Sequence, residues 1–504
     1  MISKTTYVSF KNCPLSLYLS KHKPSEATEP SGHVIKAGYD GNLVGELAKT
    51  YFPNTYDASA KKQDGTLDLQ TQVENTRLAL QRGEKVIAEA SFLYDDLFCA
   101  VDLLVREGEG FSIYEVKHNF SVEDKHRIDV AFQKYVLEKC GLNIVHLYVM
   151  HVNKEYIYDG VSLDLNSFFL AEEIPFDDPL VSSSLSSMDG DIASIHALLI
   201  GPEIQPSFDR KCDKCGFAHY CSSSLPTDWI GNLYRSKETA YEKTGKGIVT
   251  IDDLLASDPK FLTKKPNRLR ALYIEYLKTG NDKPHIEKDN LRSFLSEIRY
   301  PLYHLDFETT SCIIPVLKGF TPGESFPYQY SLHIEYQNGR IEHKEYLASS
   351  FDCIDEIAKS LCENIPMGSC LLAHHDATEK SYIKFLAKKC TAHENHLMDL
   401  YNNFIDLAKP FKEGYYYQAR MGVSFSIKEV LPTLCPSSQN AYANLPTVHN
   451  GSDAILAFHK LMDLKRDPSK QAEYEDYRKG MLAYCKQDTQ SMVDVLRVLR
   501  EAAK

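Results

Sequence analysis

Between Tyr303 and Thr309 an apolar run carries two acids, in the order Leu305-Asp306-Phe307-Glu308-Thr309. Side chains alternate along a strand, so Asp306 and Glu308 leave one face together while their apolar neighbours fill the other. Near the far end of the chain stands Tyr484-Cys485-Lys486-Gln487-Asp488. A Tyr and an Asp four apart on a helix share one face. A fold that satisfies both patterns docks that helix on that strand and gathers acids. Acids gathered in this way hold divalent metals for in-line attack on a phosphodiester.

A chain of 504 residues exceeds one ordinary core, so two or three domains are expected. With 43% apolar and 25% charged residues, the composition is that of a globular protein. No apolar run approaches the ~18–20 residues of a membrane span. Met1-Ile2-Ser3-Lys4 leads to Tyr7 and Phe10 without a signal-peptide core, so a cytoplasmic location is expected. The thirteen cysteines then read as thiols or metal ligands rather than disulfides. A net charge of −12 argues against a general nucleic-acid coat but suits a clustered acid site. Phosphate contacts would come from local basic runs such as Lys264-Lys265-Pro266-Asn267-Arg268-Leu269-Arg270.

Ser182-Ser183-Ser184-Leu185-Ser186-Ser187 reads as a loop. From about Ile248 to Glu297 the pattern is helical. Tyr328 to Glu335 and Ile341 to Leu347 read as a hairpin about Gln337-Asn338-Gly339-Arg340, with a type I′ turn. A long amphipathic helix runs from near Tyr474 to Ala503, with Met481, Cys485, Met492, Val495 and Leu499 as its inward stripe. The expected division is 1–225, 226–298 as a helical connector, and 299–504. Gly247 to Leu255 in the connector is reminiscent of a helix–hairpin–helix module; Thr250 is the N-cap on that reading or on a plain helical one.

Two-metal hydrolysis needs about four carboxylates around ions roughly 4 Å apart. Asp306, Glu308 and Asp488 supply three, and Tyr484 is placed to orient water. This set resembles the DnaQ-type (DEDD) 3′–5′ exonucleases of the subclass with Tyr in the last motif, an RNase H-like fold. In that family a segment like Asn-x-x-Phe-Asp supplies the middle acid. Leu372-Ala373-His374-His375-Asp376-Ala377-Thr378-Glu379 occupies the interval here, which puts Glu379 at the acid position and leaves Asp376 as its rival. The departure is a Glu, about one methylene longer, at a site built for Asp.

His304 to Thr309, Phe326 to His333 and Ser424-Phe425-Ser426-Ile427-Lys428-Glu429-Val430-Leu431-Pro432 resemble a bacterial family that carries a DnaQ-like domain behind a RecB-like nuclease domain. In the last run Ser426 is a candidate helix cap, and Lys428 a supporting residue for the substrate backbone. Asp406 is a further supporting acid or, equally, a cap.

In the first half, Ala100 to Val105 and Phe111 to Lys117 read as strands joined at Glu107-Gly108-Glu109-Gly110. Asp102 then lies near Glu115 and Lys117, the Asp…Glu-x-Lys arrangement of the PD-(D/E)XK nucleases, whose fold is restriction-endonuclease-like. Two carboxylates hold Mg²⁺ or Mn²⁺ there, and the Lys orients water. Glu89 stands on the preceding strand, and Gln133 and Tyr135 on the next helix as supporting residues. Cys212, Cys215 and Cys221 form C-x2-C-x5-C after this core, and Cys13 precedes it. That spacing resembles the iron–sulfur RecB-like nucleases, including the CRISPR-associated adaptation nucleases and the AddB subunit, and implies a [4Fe–4S] clamp. A four-cysteine zinc site is the alternative. Those nucleases place a metal-binding His on an early helix; here Gly45 stands in its place, with Glu46 as a substitute.

The expectation is an α/β chain with two metal-dependent nuclease-type domains, the second a 3′–5′ exonuclease using Asp306, Glu308, Glu379, Tyr484 and Asp488. The alternatives are one active exonuclease beside a domain that only grips nucleic acid, or a redox-sensing scaffold. Nucleic acid is the expected partner, DNA ahead of RNA, although readers of backbone and ends carry no base-edge signature to separate them. No membrane partner is expected.

Overall fold

Strand alternation decides the first sheet. In the computed structural model, which describes residues 1–264 and 268–504, the strands are β1 (Ile2–Ser3), β2 (Tyr56–Asp57), β3 (Val86–Tyr94), β4 (Leu97–Glu107), β5 (Gly110–Lys117), β6 (Ile144–Val152) and β7 (Phe169–Glu173). They run in the order β2-β3-β4-β5-β6-β7, with β1 paired in parallel to β4. Within β3, Ile87 faces one apolar cluster and its neighbours Val86 and Ala88 face another, so both sides of the sheet are covered. Helices α1 (Lys4–Asn12), α5 (Asp124–Lys139) and α6 (Pro179–Ile200) contribute to the first cluster, and α3 (Gly32–Ala48) to the second; α2 is Pro14–His22 and α4 is Leu69–Arg82.

The serine run 182–187 lies inside α6, not in a loop. Asp178 caps the helix, and Ser186 and Ser187 hydroxyls donate to the carbonyls of Ser182 and Ser184. Satisfied hydroxyls and the buried stripe of Val181, Met188 and Ile195 outweigh the weak helix propensity of serine.

The second unit holds β8 (His285–Ile286), β9 (Leu302–Ser311), β10 (Ser325–Glu335), β11 (Ile341–Leu347), β12 (Cys370–Ala373), β13 (Phe404–Asp406) and β14 (Tyr416–Tyr417). Five of them form the sheet β11-β10-β9-β12-β13, antiparallel from β11 to β9 and parallel from β9 to β13. Its helices include α7 (Ile354–Asn364), α8 (Asp376–Lys389), α9 (Ile427–Leu434), α10 (Gly451–Leu464) and α11 (Gln471–Ala503). The inward stripe of α11, Met481, Cys485, Met492, Val495 and Leu499, is buried throughout. At the β10–β11 turn only Gly339 is left-handed, and Gly339 N–H donates to Tyr336 O. The turn is thus longer than the expected type I′ pair.

The first unit comprises Met1–Pro206, Cys215–Cys221 and Cys312–Glu324; the second comprises Ser207–Lys214, Ser222–Ser311 and Ser325–Lys504. The described residues of 226–298, expected as a connector, fall within the second. They are largely helical, and Thr250 caps the helix Ile251–Ser257 through a reciprocal box with Asp253. Lys265, Pro266 and Asn267 of the basic run lie outside the described residues. No helix among the described residues is long and apolar enough to cross a membrane.

Candidate functional sites

The second unit assembles its acids from a strand and two helices. Asp306 and Glu308 project from one face of β9, and a β10 bulge between Pro327 and Gln329 lies opposite Glu308. Oxygens of Asp306 and Glu308 and the Cys485 sulfur lie within 4.8 Å of one another. Sequence reasoning treats Cys485 as packing; its thiol is fully buried, yet its Sγ sits 3.8 Å from Asp306 Oδ2.

Glu379 enters from the first turn of α8 and Asp488 from α11, both buried. Burial, then the charges of Asp488, Glu308 and Glu379, push the Asp306 carboxyl well above its usual range. Burial, then Asp488 and Glu379, do the same to Glu308. Glu379 is pushed up to about 8 by burial and by Asp376, Asp406 and Asp488. Asp488 rises only to about 6, because hydrogen bonds from Tyr442 and Tyr484 and the charge of Lys428 oppose its burial.

This donor set fits a divalent cation. Four carboxylates repel one another, and Glu379 Oε2 is buried without a hydrogen-bond partner. Such an atom is costly unless a cation or donor meets it. The rival Asp376 instead pairs with Lys380 at 3.1 Å. Asp406 Oδ1 accepts the backbone N–H groups of His375 and Ala408, both at 2.9 Å, the work of a cap.

The Ser424–Pro432 run reaches the acids through Lys428, whose Nζ donates to Tyr484 Oη at 3.0 Å. His374 Nε2 holds the Phe425 carbonyl at 2.7 Å, which anchors the run beside α8. Ser426 occupies the N-cap of α9 without a side-chain cap bond. Tyr442, which no periodicity singles out, donates to Asp488 Oδ1 at 2.7 Å. Beyond Phe425, a cavity of about 290 Å³ is lined by Tyr234, Arg235, Arg270 and Phe425 among others. Arg235 lies over the Phe425 ring at 4.8 Å and Arg270 over Tyr234 at 4.7 Å.

In the first unit, Asp102 Oδ2 accepts the N–H of Val116 at 2.6 Å. Lys117 Nζ donates to Glu115 Oε1 at 2.5 Å and to Asp129 Oδ2 at 2.9 Å. Gln133 Nε2 donates to Glu115 Oε2 at 2.5 Å. Tyr135 turns away and donates to Asp189. Lys4 Nζ joins the group, 2.7 Å from Glu115 Oε1. Burial, then the charge of Glu115, push Asp102 up to about 7. Burial opposes ionisation of Glu115, but Lys117 and Lys4 outweigh it and hold this carboxyl well below the usual range.

Glu89, left-handed at φ 53°, falls opposite Asp102 in the β3–β4 register and lies 3.9 Å from Lys49. A non-glycine residue held there stores strain, a mark of functional sites. Glu46, the proposed stand-in for the early His, is 73% exposed and paired with Lys49. Lys4 and Asp129 escape sequence reasoning. Asp129 is one turn before Gln133 on the same face of α5, a spacing that could have marked it.

Of the four cysteines, Cys13, Cys215 and Cys221 pack with Leu15, Leu19 and Phe217 in the first unit. Ser16 touches two of them, through its N–H to Cys13 Sγ at 3.4 Å and its Oγ, 3.9 Å from Cys215 Sγ. Cys212 belongs to the second unit's segment Ser207–Lys214.

The two units thus define a mixed α/β protein with a candidate metal centre about Asp306, Glu308 and Cys485 in the second. A family profile described as a domain of unknown function (DUF2779) matches residues 303–426, less than half of the chain. No curated protein matches. Among solved structures, the crystal structure of SSO0001 aligns at 12% identity over 43% of this chain and 98% of that one, with a TM-score of 0.17, a likeness that carries no argument.

Proposed function

We propose that the chain is a metal-dependent nuclease whose chemistry resides in the second unit, an RNase H-like exonuclease trimming 3′ ends. The observation that carries this reading is the convergence of Asp306, Glu308, Glu379 and Asp488, three buried carboxyls and the half-buried Asp306, whose mutual repulsion a divalent cation would relieve. These acids would hold Mg²⁺ or Mn²⁺, which when bound supplies the Lewis acidity that phosphodiester hydrolysis needs. Burial, then nearby acids, hold the Tyr484 phenol protonated, and Lys428 fixes its oxygen. Tyr484 then orients a water whose oxygen bonds to phosphorus as the P–O3′ bond breaks. The water gives up its proton to solvent, the departing O3′ takes one up to become the 3′-hydroxyl of the shortened strand, and a nucleoside 5′-monophosphate leaves.

The cavity beyond Phe425 supports a nucleic-acid substrate. Guanidinium groups beside aromatic faces suit a phosphate and a stacked base. The first unit we read as restriction-endonuclease-like, on the Asp102, Glu115, Lys117 and Gln133 constellation. Cys13, Cys215 and Cys221 of this unit would supply ligands to a [4Fe–4S] cluster. Its role would be structural, pinning distant segments together.

End-labelled DNA and RNA with Mn²⁺ test the main reading, comparing wild type with Asp306→Ala. Stepwise 3′ shortening lost in the variant supports it. Cutting that survives Asp306→Ala contradicts it and moves the chemistry to Asp102, Glu115 and Lys117. For the cluster, protein purified without oxygen should be brown, absorbing at about 400 nm, and a colourless zinc protein would overturn that part.

A further inference from the structure

The two acid groups differ in one respect that their motifs do not reveal. In the second unit, oxygens of Asp306 and Glu308 lie within 4.8 Å of each other and Glu379 Oε2 has no hydrogen-bond partner. In the first, both oxygens of Glu115 are engaged. Oε1 accepts from Lys4 at 2.7 Å and Lys117 at 2.5 Å, and Oε2 from Gln133 at 2.5 Å. One Asp102 oxygen is taken by Val116 N–H, and one Asp129 oxygen by Lys117. Glu115 is 1% exposed and Lys4 21% exposed, so this is an interior arrangement rather than a surface pair.

Lys4 is held there by backbone. β1 pairs with β4 through Ile2↔Leu97 and Ser3↔Phe98, a few residues before Asp102 on the same strand. Ser3 caps α1 through its Oγ and the Thr6 N–H at 3.2 Å, so Lys4 starts the helix in a fixed direction. The other end of α1 is capped at Cys13, inside the cysteine cluster. Both ends of the helix that delivers Lys4 are therefore tied down.

We infer that the ammonium of Lys4 is the resident cation of the first unit's carboxylate group, and that this group takes no divalent metal while α1 is seated. The inference deepens the nuclease-type reading of that unit and rests on it. Hard divalent ions need carboxylate oxygens free to coordinate, and here two ammonium groups and an amide hold the central carboxylate. The exposed Glu46 offers no replacement for the early His. The first unit then grips nucleic acid without cutting it, and Lys117 is one arm of a charge cluster rather than an activator of water.

Mn²⁺ binding to the full chain tests this, read by the electron paramagnetic resonance of free Mn²⁺. Asp306→Asn with Asp488→Asn silences the second unit, so that only the first unit's acids count. This protein should bind no Mn²⁺ beyond what the same protein with Glu115→Gln binds. Adding Lys4→Met should create one Mn²⁺ site, with affinity at least tenfold above any residual binding by the Lys4-intact protein, that Glu115→Gln removes. Glu115-dependent Mn²⁺ binding with Lys4 intact would overturn the inference, and that arm needs no Lys4 variant to fold. A folded Lys4→Met protein that gains no site would overturn it as well. Nucleic-acid affinity of the same proteins without metal tests the nuclease-type reading separately, since a loss there leaves the Mn²⁺ count unchanged.

Discussion

Lys428 Nζ donates to Tyr484 Oη at 3.0 Å, joining the start of α9 to the acid-bearing face of α11. The same ammonium lies 5.1 Å from the Tyr484 ring centre and 5.2 Å from that of Tyr442, which itself holds Asp488. One lysine thus positions the phenol that we assign to the water and steadies the tyrosine that holds Asp488.

Lys428→Met should lower the rate of 3′ shortening by about 10–100-fold with little change in KM, the usual range for a residue that orients one in contact with the reacting atoms. Tyr484→Phe should give a similar loss, and the double variant little more, because both remove one unit. Steady-state kinetics on a labelled oligonucleotide checks this; fully additive losses would separate the two residues.

Asp306→Asn should make the metal-free protein more stable. Its carboxylate is repelled by Asp488, Glu308 and Glu379, and the amide removes one repelling charge. Thermal unfolding with chelator at pH 8 should show a rise of a few degrees. With excess Mn²⁺ the order should reverse, since ligand binding stabilises only the protein that can bind it.

The second unit should also lose stability in acid through buried histidines. Burial holds His333 and His374 down at about 3, below their ordinary value of 6.5. The unfolded chain takes protons there that the folded one refuses, so stability is full above about pH 6.5 and falls as pH drops toward 3. Each histidine contributes at most about 1.4 kcal/mol per pH unit within that window. Urea midpoints from pH 8 to pH 4 should fall, and His333→Asn should flatten the slope by up to one proton.

Arg235→Ala should weaken single-strand binding and reduce the slope of log affinity against log salt by about 1 if the guanidinium meets a phosphate. Arg235 is exposed and stacks on Phe425, so the fold should survive. An unchanged slope would remove this cavity from the substrate path.

Where one periodicity governs a segment, the sequence is readable. The stripe of α11 and the Asp-x-Glu on β9 follow from spacing alone, since burial on one face enforces them. The serine stretch of α6 misleads because its hydroxyls find carbonyls within the helix, a choice made by packing on α5. Tyr442 lies in an irregular segment, and only the folded chain brings it to Asp488. Lys4 is hidden for another reason: its partner Glu115 lies far along the chain, and β1 pairing alone delivers it.

We propose that Asp306, Glu308, Glu379 and Asp488 form one two-metal site. The most direct measurement is Mn²⁺ electron paramagnetic resonance of the wild-type chain at two equivalents, beside Asp306→Asn. A spin-coupled pair is expected, as ions roughly 4 Å apart require, absent from the variant and titrating in step with 3′ shortening. Isolated, uncoupled Mn²⁺ with an identical spectrum in Asp306→Asn would contradict it.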